Sequence, residues 1–503
     1  MKSEVRNPKS VARGAWRVEG VPSSDARGAP RSTLHAPRST LLGPRISSSG
    51  SVLIIVLWIA FGLVALALYF ANAMSFELRA ADNRVSAQAA DQAIEGAARY
   101  MNYILASQAL NGSNGFIPDP AGYQCQAVPV GEAHFWLIGR DTNPPVGPGQ
   151  MAFGLVDEAA KLNLNYAISN QLIWLPRMTL DLTQAILDWR DTNGNGPTVT
   201  YYATLQPSYF CKSDPFETVD ELRLLYAADM DALIGEDANR NGILDPSETD
   251  ENQNNQLDPG VLEYVTVYSR EPNTGSGGGA RINLTNLTSS LPQLQSLLET
   301  NFGSARASDI LRNLGVASSS GGRTPGGTGS TVRFTSPLQF YRRSGMNADE
   351  FARVATNFTT VDGSFIEGRV NVNTASAAVL ACLLGGDTAG AQQLVNYRLT
   401  NPNNLTSIAW VADALGQNFS DDLTLLSAGD YITTASYQFS ADIAAVGPHG
   451  RGYRRVKFIF DTSSGTPQIV YRQDLTHLGW ALGKDARQNL AMLETTTTGK
   501  HAN

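Results

Sequence analysis

Residues 237–248, DANRNGILDPSE, set oxygen-bearing side chains at alternate positions. Asp237, Asn239 and Asn241 stand at loop positions 1, 3 and 5. Gly242 is at 6, Asp245 at 9 and Glu248 at 12, and Ile243 offers its carbonyl from 7. Alternate oxygens can wrap a hard cation, a glycine at the sixth position permits the sharp turn, and a final bidentate glutamate closes the sphere. This is the loop pattern of an EF-hand, and the cofactor it predicts is calcium. The flanking sequence lacks two strong helices, so the loop alone is expected, with the modest affinity of extracellular modules. A second stretch, DENQNNQLDPGV at 250–261, repeats the pattern less fully. Asp250, Asn252, Asn254 and Asp258 fit, but position 6 is Asn255 and position 12 is Val261. It is a candidate second metal site. DTNGNG at 191–196 starts in the same way but has Tyr202 in place of the closing glutamate, so it reads as a tight polar turn.

Other chemistry is sparse. The five histidines (35, 134, 449, 477 and 501) are scattered, and neither HExxH nor GxSxG occurs. No catalytic residue is assigned and the chain is not expected to be an enzyme. Asp157 and Glu158 are adjacent carboxylates at a strand end ahead of a helical stretch, where capping is the expected role. Cys125, Cys211 and Cys382 leave one thiol unpaired at best, and the sequence does not choose a disulfide. The segment 371–398, NVNTASAAVLACLLGGDTAGAQQLVNYR, resembles a helix-hairpin-helix DNA module, in which hairpin amides meet phosphate. Here the hairpin is GGDTAG, with Asp387 inside it and few Lys or Arg nearby, so counterion release would be small. No nucleic-acid partner is expected.

These loops need a frame. Ser51–Met74 holds 24 residues and no charge, and roughly 20 apolar residues span a bilayer core. The pattern continues, Ala-rich and without Pro, so one helix is predicted from about Leu53 to Ala106, half in lipid and half in water. Residues 1–49 carry nine Lys or Arg against three acids, although the chain as a whole is at −8. A basic flank before a span places the N-terminus in the cytoplasm and the head outside. Strands are predicted at 133–140 and 151–159, a helix at 182–191, and strands again at 431–447, 453–462 and 466–474. The string Lys/Arg–aliphatic–Asn–aliphatic–Asn/Thr occurs at 161–165, 281–285 and 369–373. Placed ahead of apolar-periodic runs, it predicts the starts of related helical modules. Gly/Ser-rich linkers are expected at 272–280 and 317–331.

The fold class is therefore α+β: a long N-terminal transmembrane helix, then a pilin-like antiparallel sheet interrupted by a large inserted helical domain of SAM-like or helix-hairpin-helix-like design. The expected organisation is a cleaved basic leader (1–50), a transmembrane and spine helix (51–107) and the first part of the sheet domain (108–156). The insertion (157–425) follows, with its calcium region (237–261) and a second helical module (369–420). Closing strands (426–484) and a flexible tail (485–503) complete the chain.

The junction SSSGSVLIIVLW resembles a type IV prepilin cleavage site, which would place the cut after Gly50 and leave Ser51 as the mature N-terminus. Most pilins have Glu at mature position five, where this chain has Ile55. Minor pseudopilins of the general secretion pathway protein K family are the known exception. The order of further motifs resembles that family: DEAAKLNLN (157–165), DWRD (188–191), Tyr201–Tyr202, then Phe216, Thr218, Val219, Asp220, Glu221, Leu222, Arg223 and Leu224. The resemblance implies a prepilin-peptidase-processed, N-methylated inner-membrane protein with a periplasmic head. It would sit at the tip of the type II secretion pseudopilus with minor pseudopilins of the I and J types and the major pseudopilin. There it would initiate pseudopilus assembly and support export across the outer membrane. Small residues such as Gly62, Ala65 and Ala67 would pack against partner helices. Two other classes are a membrane-anchored DNA receptor, which salt-dependent DNA retention would reveal, and a signal-anchored surface protein or enzyme, which an intact N-terminus would reveal.

Overall fold

The computed structural model describes residues 49–112, 115–140, 150–275, 277–316, 332–484 and 486. Residues 1–48 of the expected leader, the linker at 317–331 and nearly all of the tail at 485–503 lie outside them.

The first described element is α1, Ser49–Leu110, and 52–70 are exposed apolar or small residues throughout. Among the described residues this helix alone is long and apolar enough to cross a membrane. Its later part buries Ala90, Ala93, Ile94, Ala97, Ala98, Met101 and Leu105. That spacing draws one stripe along a helix, and its alanines allow close approach to a sheet.

The sheet is antiparallel and six-stranded. β1 (Val128–Val130) pairs with β2 (Ala133–Ile138), and β2 pairs with the central β4 (Gln438–Val446). Beside β2 lies the two-residue β3 (Val156–Asp157), also on β4. On the far side come β5 (Arg454–Asp461) and then β6 (Gln468–Asp474). One face, with Phe135, Leu137, Ala441, Ile443, Ala445, Val456 and Phe458, packs on the α1 stripe. On the other, Trp136, Ile138, Ala444 and Val446 cluster with Ala481, Leu482 and Ala486. Every residue of β4 is buried, because it is covered on both faces; it does not alternate between core and water as a half-solvated strand would.

Several expectations need correction. Of the strand expected at 151–159 only β3 forms, with an isolated bridge from Phe153 to Ile138. The stretch 431–447 divides: Ile432–Thr433 belongs to the insertion, and only Gln438–Val446 joins the sheet. The glycines of 272–280 form a loop closed by a Thr274–Ala280 bridge, not an open linker. Residue 486 packs in a core although it falls in the expected tail. The segment 219–224 is a 3-10 helix.

The three Asn strings are strands as well as helix entries, and in the second Asn283 caps the 3-10 helix Leu284–Asn286 directly. Each is a two-residue parallel strand pair: Leu162–Asn163 with Val265–Thr266, Ile282–Asn283 with Phe358–Thr359, and Val370–Asn371 with Ile432–Thr433. In each the Asn side chain accepts a backbone N–H two residues on, from Asn165, Thr285 and Asn373, at 2.8–3.0 Å. This Asx turn ends the strand and releases the chain into the helices that follow. The modules are thus loops of helices, each tied at its neck.

Candidate functional site

The cation-loop residues come together. Asp237 accepts from the amides of Asn241 and Gly242, both at 2.9 Å. Asn241 accepts from Ile243 N–H, and Asp245 accepts from the side-chain amides of Asn239 at 2.6 Å and Asn241 at 2.8 Å. Glu248 closes the loop with both oxygens, on Asn239 N–H at 3.2 Å and Asp245 N–H at 2.9 Å. Gly242 has φ +83, the left-handed turn that position 6 demands. Seven hydrogen bonds thus hold the carboxylates and amides inward. Asp237, Asn239, Asn241 and Asp245 are all buried, and Asn239 Oδ1 has no hydrogen-bond partner. A buried, orphaned carboxamide oxygen among three carboxylates is a donor set suited to a hard cation. Burial pushes the Asp237 and Glu248 carboxyls up from their ordinary values, with Arg140 pulling Asp237 back. No three His, Cys, Asp or Glu side chains among the described residues converge on one point; half of this set is amide and carbonyl oxygen.

The second loop has the same wiring. Asp250 accepts from the amides of Asn254 at 3.2 Å and Asn255 at 2.8 Å, and Asn254 accepts from Gln256 N–H at 2.6 Å. Asp258 accepts from the side chains of Asn252 at 2.5 Å and Asn254 at 3.0 Å. Asn255, at position 6, takes φ +58, which Asn tolerates better than most residues. The missing twelfth ligand has a replacement. Glu236, buried and directly ahead of the first loop, accepts from Asp258 N–H at 2.9 Å and Glu251 N–H at 2.7 Å. Glu248 grips its own loop in a similar way, one oxygen on the ninth residue's amide. Sequence reasoning missed Glu236 because the pattern looks downstream for its glutamate; the clue was an acid adjoining the first loop. The flanking helices are Met230–Ile234 and Val261–Tyr264, too short to make a sensor hand.

The remaining candidates are structural. Asp191 accepts from Asn193 N–H, a polar turn. Asp157 is buried and accepts from Asn371 Nδ2, Thr374 and Ser436 hydroxyls and Ala159 N–H. Glu158 is buried too, but Lys161 and Lys457 hold its carboxyl well below the usual range against that burial. The three cysteines are free. In the hairpin, Asp387 caps the helix Thr388–Thr400 through Ala389 and Gly390 amides, and the Asp422 carboxyl lies beside it. The amides a phosphate would need already serve a carboxylate. Gly50 and Ser51 lie in the first turn of α1.

Comparison with known proteins gives three findings. No curated protein matches the chain significantly. A solved structure, the GspK-GspI-GspJ complex from the enterotoxigenic Escherichia coli Type 2 Secretion System, resembles it at TM-score 0.34 and 11% identity. The match covers 76% of this chain and 96% of that one. So distant a likeness carries no argument about function. Residues 370–426, the third tied module, match the family model described as Type II secretion system (T2SS), protein K. That segment, 57 of the chain's 503 residues, is thus similar to protein K of the type II secretion system.

Proposed function

We propose that this protein is the minor pseudopilin at the tip of a type II secretion pseudopilus, with α1 in the inner membrane and the head in the periplasm. The observation that carries the reading is α1 itself: its first part offers apolar residues to lipid, and its last part is the spine of a sheet domain. A helix used twice in this way is kept after processing, and can be drawn from the membrane into a helical bundle with its head attached. The insertion enlarges the head, and in this reading that bulk would keep further subunits from adding above it. Ile55 in place of an acid agrees, since a terminal subunit has no neighbour above whose amine needs pairing. Cutting after Gly50 by prepilin peptidase and methylation of Ser51 belong to the same proposal. So does assembly with the I- and J-type minor pseudopilins and the major pseudopilin. The test is isolation of the full chain from detergent-solubilised membranes of cells producing all three minor subunits. Co-isolation of both companions at fixed stoichiometry is expected; recovery of the chain alone contradicts the reading.

Calcium is proposed for both loops. Asp237, Asn239, Asn241, the Ile243 carbonyl, Asp245 and Glu248 would hold one ion, and Asp250, Asn252, Asn254, Asp258 and Glu236 a second. Each ion would neutralise the carboxylates gathered in its loop, and so stabilise the fold.

A further inference from the structure

The first cation loop is fastened to the sheet on three sides. From β5, the fully buried Arg455 donates to the carbonyls of Asn239 and Arg240 while pairing with Asp442 on β4 at 2.6 Å. From the end of β2, Arg140 donates to Arg240 O at 3.1 Å and pairs with Glu263 at 2.6 Å. From the C-terminal segment, Trp480 O and Ala481 O accept from the side-chain amides of Asn239 at 3.4 Å and Asn241 at 3.2 Å. Those two residues are held in turn. The Trp480 ring lies 5.1 Å from Tyr453, and Ala481 N–H donates to the Tyr453 hydroxyl. Gly483 packs near Ile243.

Resting on the calcium reading, we infer that the ion is a clamp: its binding at 237–248 locks the inserted domain and the C-terminal segment 480–484 onto the sheet. A carboxamide that gives its oxygen to a cation must leave its NH2 with another acceptor. For Asn239 and Asn241 the acceptors outside the loop are the carbonyls of Trp480 and Ala481. Such outer partners orient ligands and commonly shift metal affinity by about 10–100-fold. The carbonyls of positions 3 and 4 are polarised by Arg455, so the loop's shape and its grip on β5 are set together. Coupling of this kind is reciprocal: whatever the ion does to hold the segment, the segment does to hold the ion.

The experiment uses the full chain in detergent. Amide hydrogen exchange is followed with and without calcium, and calcium affinity is compared between chains ending at residue 479 and at residue 487. Calcium is expected to slow exchange in 237–248 and also in 480–484 and 454–456. The shorter chain should bind about tenfold more weakly or worse, and the longer as well as the full chain. Slowing confined to 237–248, or equal affinity in both truncations, overturns the clamp and leaves the calcium reading standing. No slowing anywhere overturns both. If the shorter chain does not fold, the exchange pattern of the full chain decides.

Discussion

At the residue scale, Glu236 is the sharpest case. It borders one cation loop and caps the next, so Glu236→Gln should remove the second ion and spare the first. Calcium titration of the full chain should fall from two sites to one; two sites retained would show that Glu236 is no ligand. Asp237→Ala with Glu248→Ala should abolish the thermal stabilisation that calcium gives through the first loop, leaving at most the share due to the second. A pair of carboxyls supplies a pH prediction. Burial, then the neighbouring Asp387, push Asp422 up to about 6. A carboxyl whose folded pKa lies above its unfolded value, near 3.9, favours the fold when protonated. Its contribution is full below about pH 4 and is lost as pH rises through about 6. Asp422→Asn should therefore stabilise the protein at pH 8 and lose that advantage at pH 4, as read from calcium-free melting curves. The first loop was legible residue by residue, since spacing alone fixes which oxygens meet. Glu236 was not, because it reaches its loop from outside the repeat.

At the element scale, α1 was legible almost to its ends, since an uncharged run followed by an alanine stripe admits few structures. The tied modules were not. Two-residue parallel pairs close over about a hundred residues in one module and fewer in the others, and no local period announces them. Their Asn residues were visible, but the Thr partners, Thr266, Thr359 and Thr433, carry no signal of their own. Two of the necks share a further device. Arg190 donates to the carbonyls of Leu164 and Ala167, and Arg398 to those of Val372 and Ala375. Arg398 has 3% exposure, and burial lowers it to about 10. Arg398→Met should strand two buried carbonyls and cost about 2–3 kcal/mol, measured by denaturant unfolding. Lys should recover part of that loss. A change below about 0.5 kcal/mol would mean the neck does not need its arginine.

At the scale of the whole molecule, the sheet lies between two partners: the spine helix on one face, and the C-terminal segment with the inserted domain on the other. The order of the chain makes this possible. Strands before and after the insertion meet in β2, β4 and β5, so the insertion emerges from the sheet at β3 and returns at β4. That arrangement was readable from the two groups of strands, although the burial of β4 on both faces was not. The proposed function requires a helix that is trimmed and kept. Mass analysis of the mature N-terminus, from membranes with and without prepilin peptidase, tests this most directly. A chain beginning at N-methylated Ser51 in the presence of the peptidase, and uncut in its absence, is the predicted result. A chain still beginning upstream of Gly50 with the peptidase present, or one cut beyond α1's apolar stretch, would contradict it.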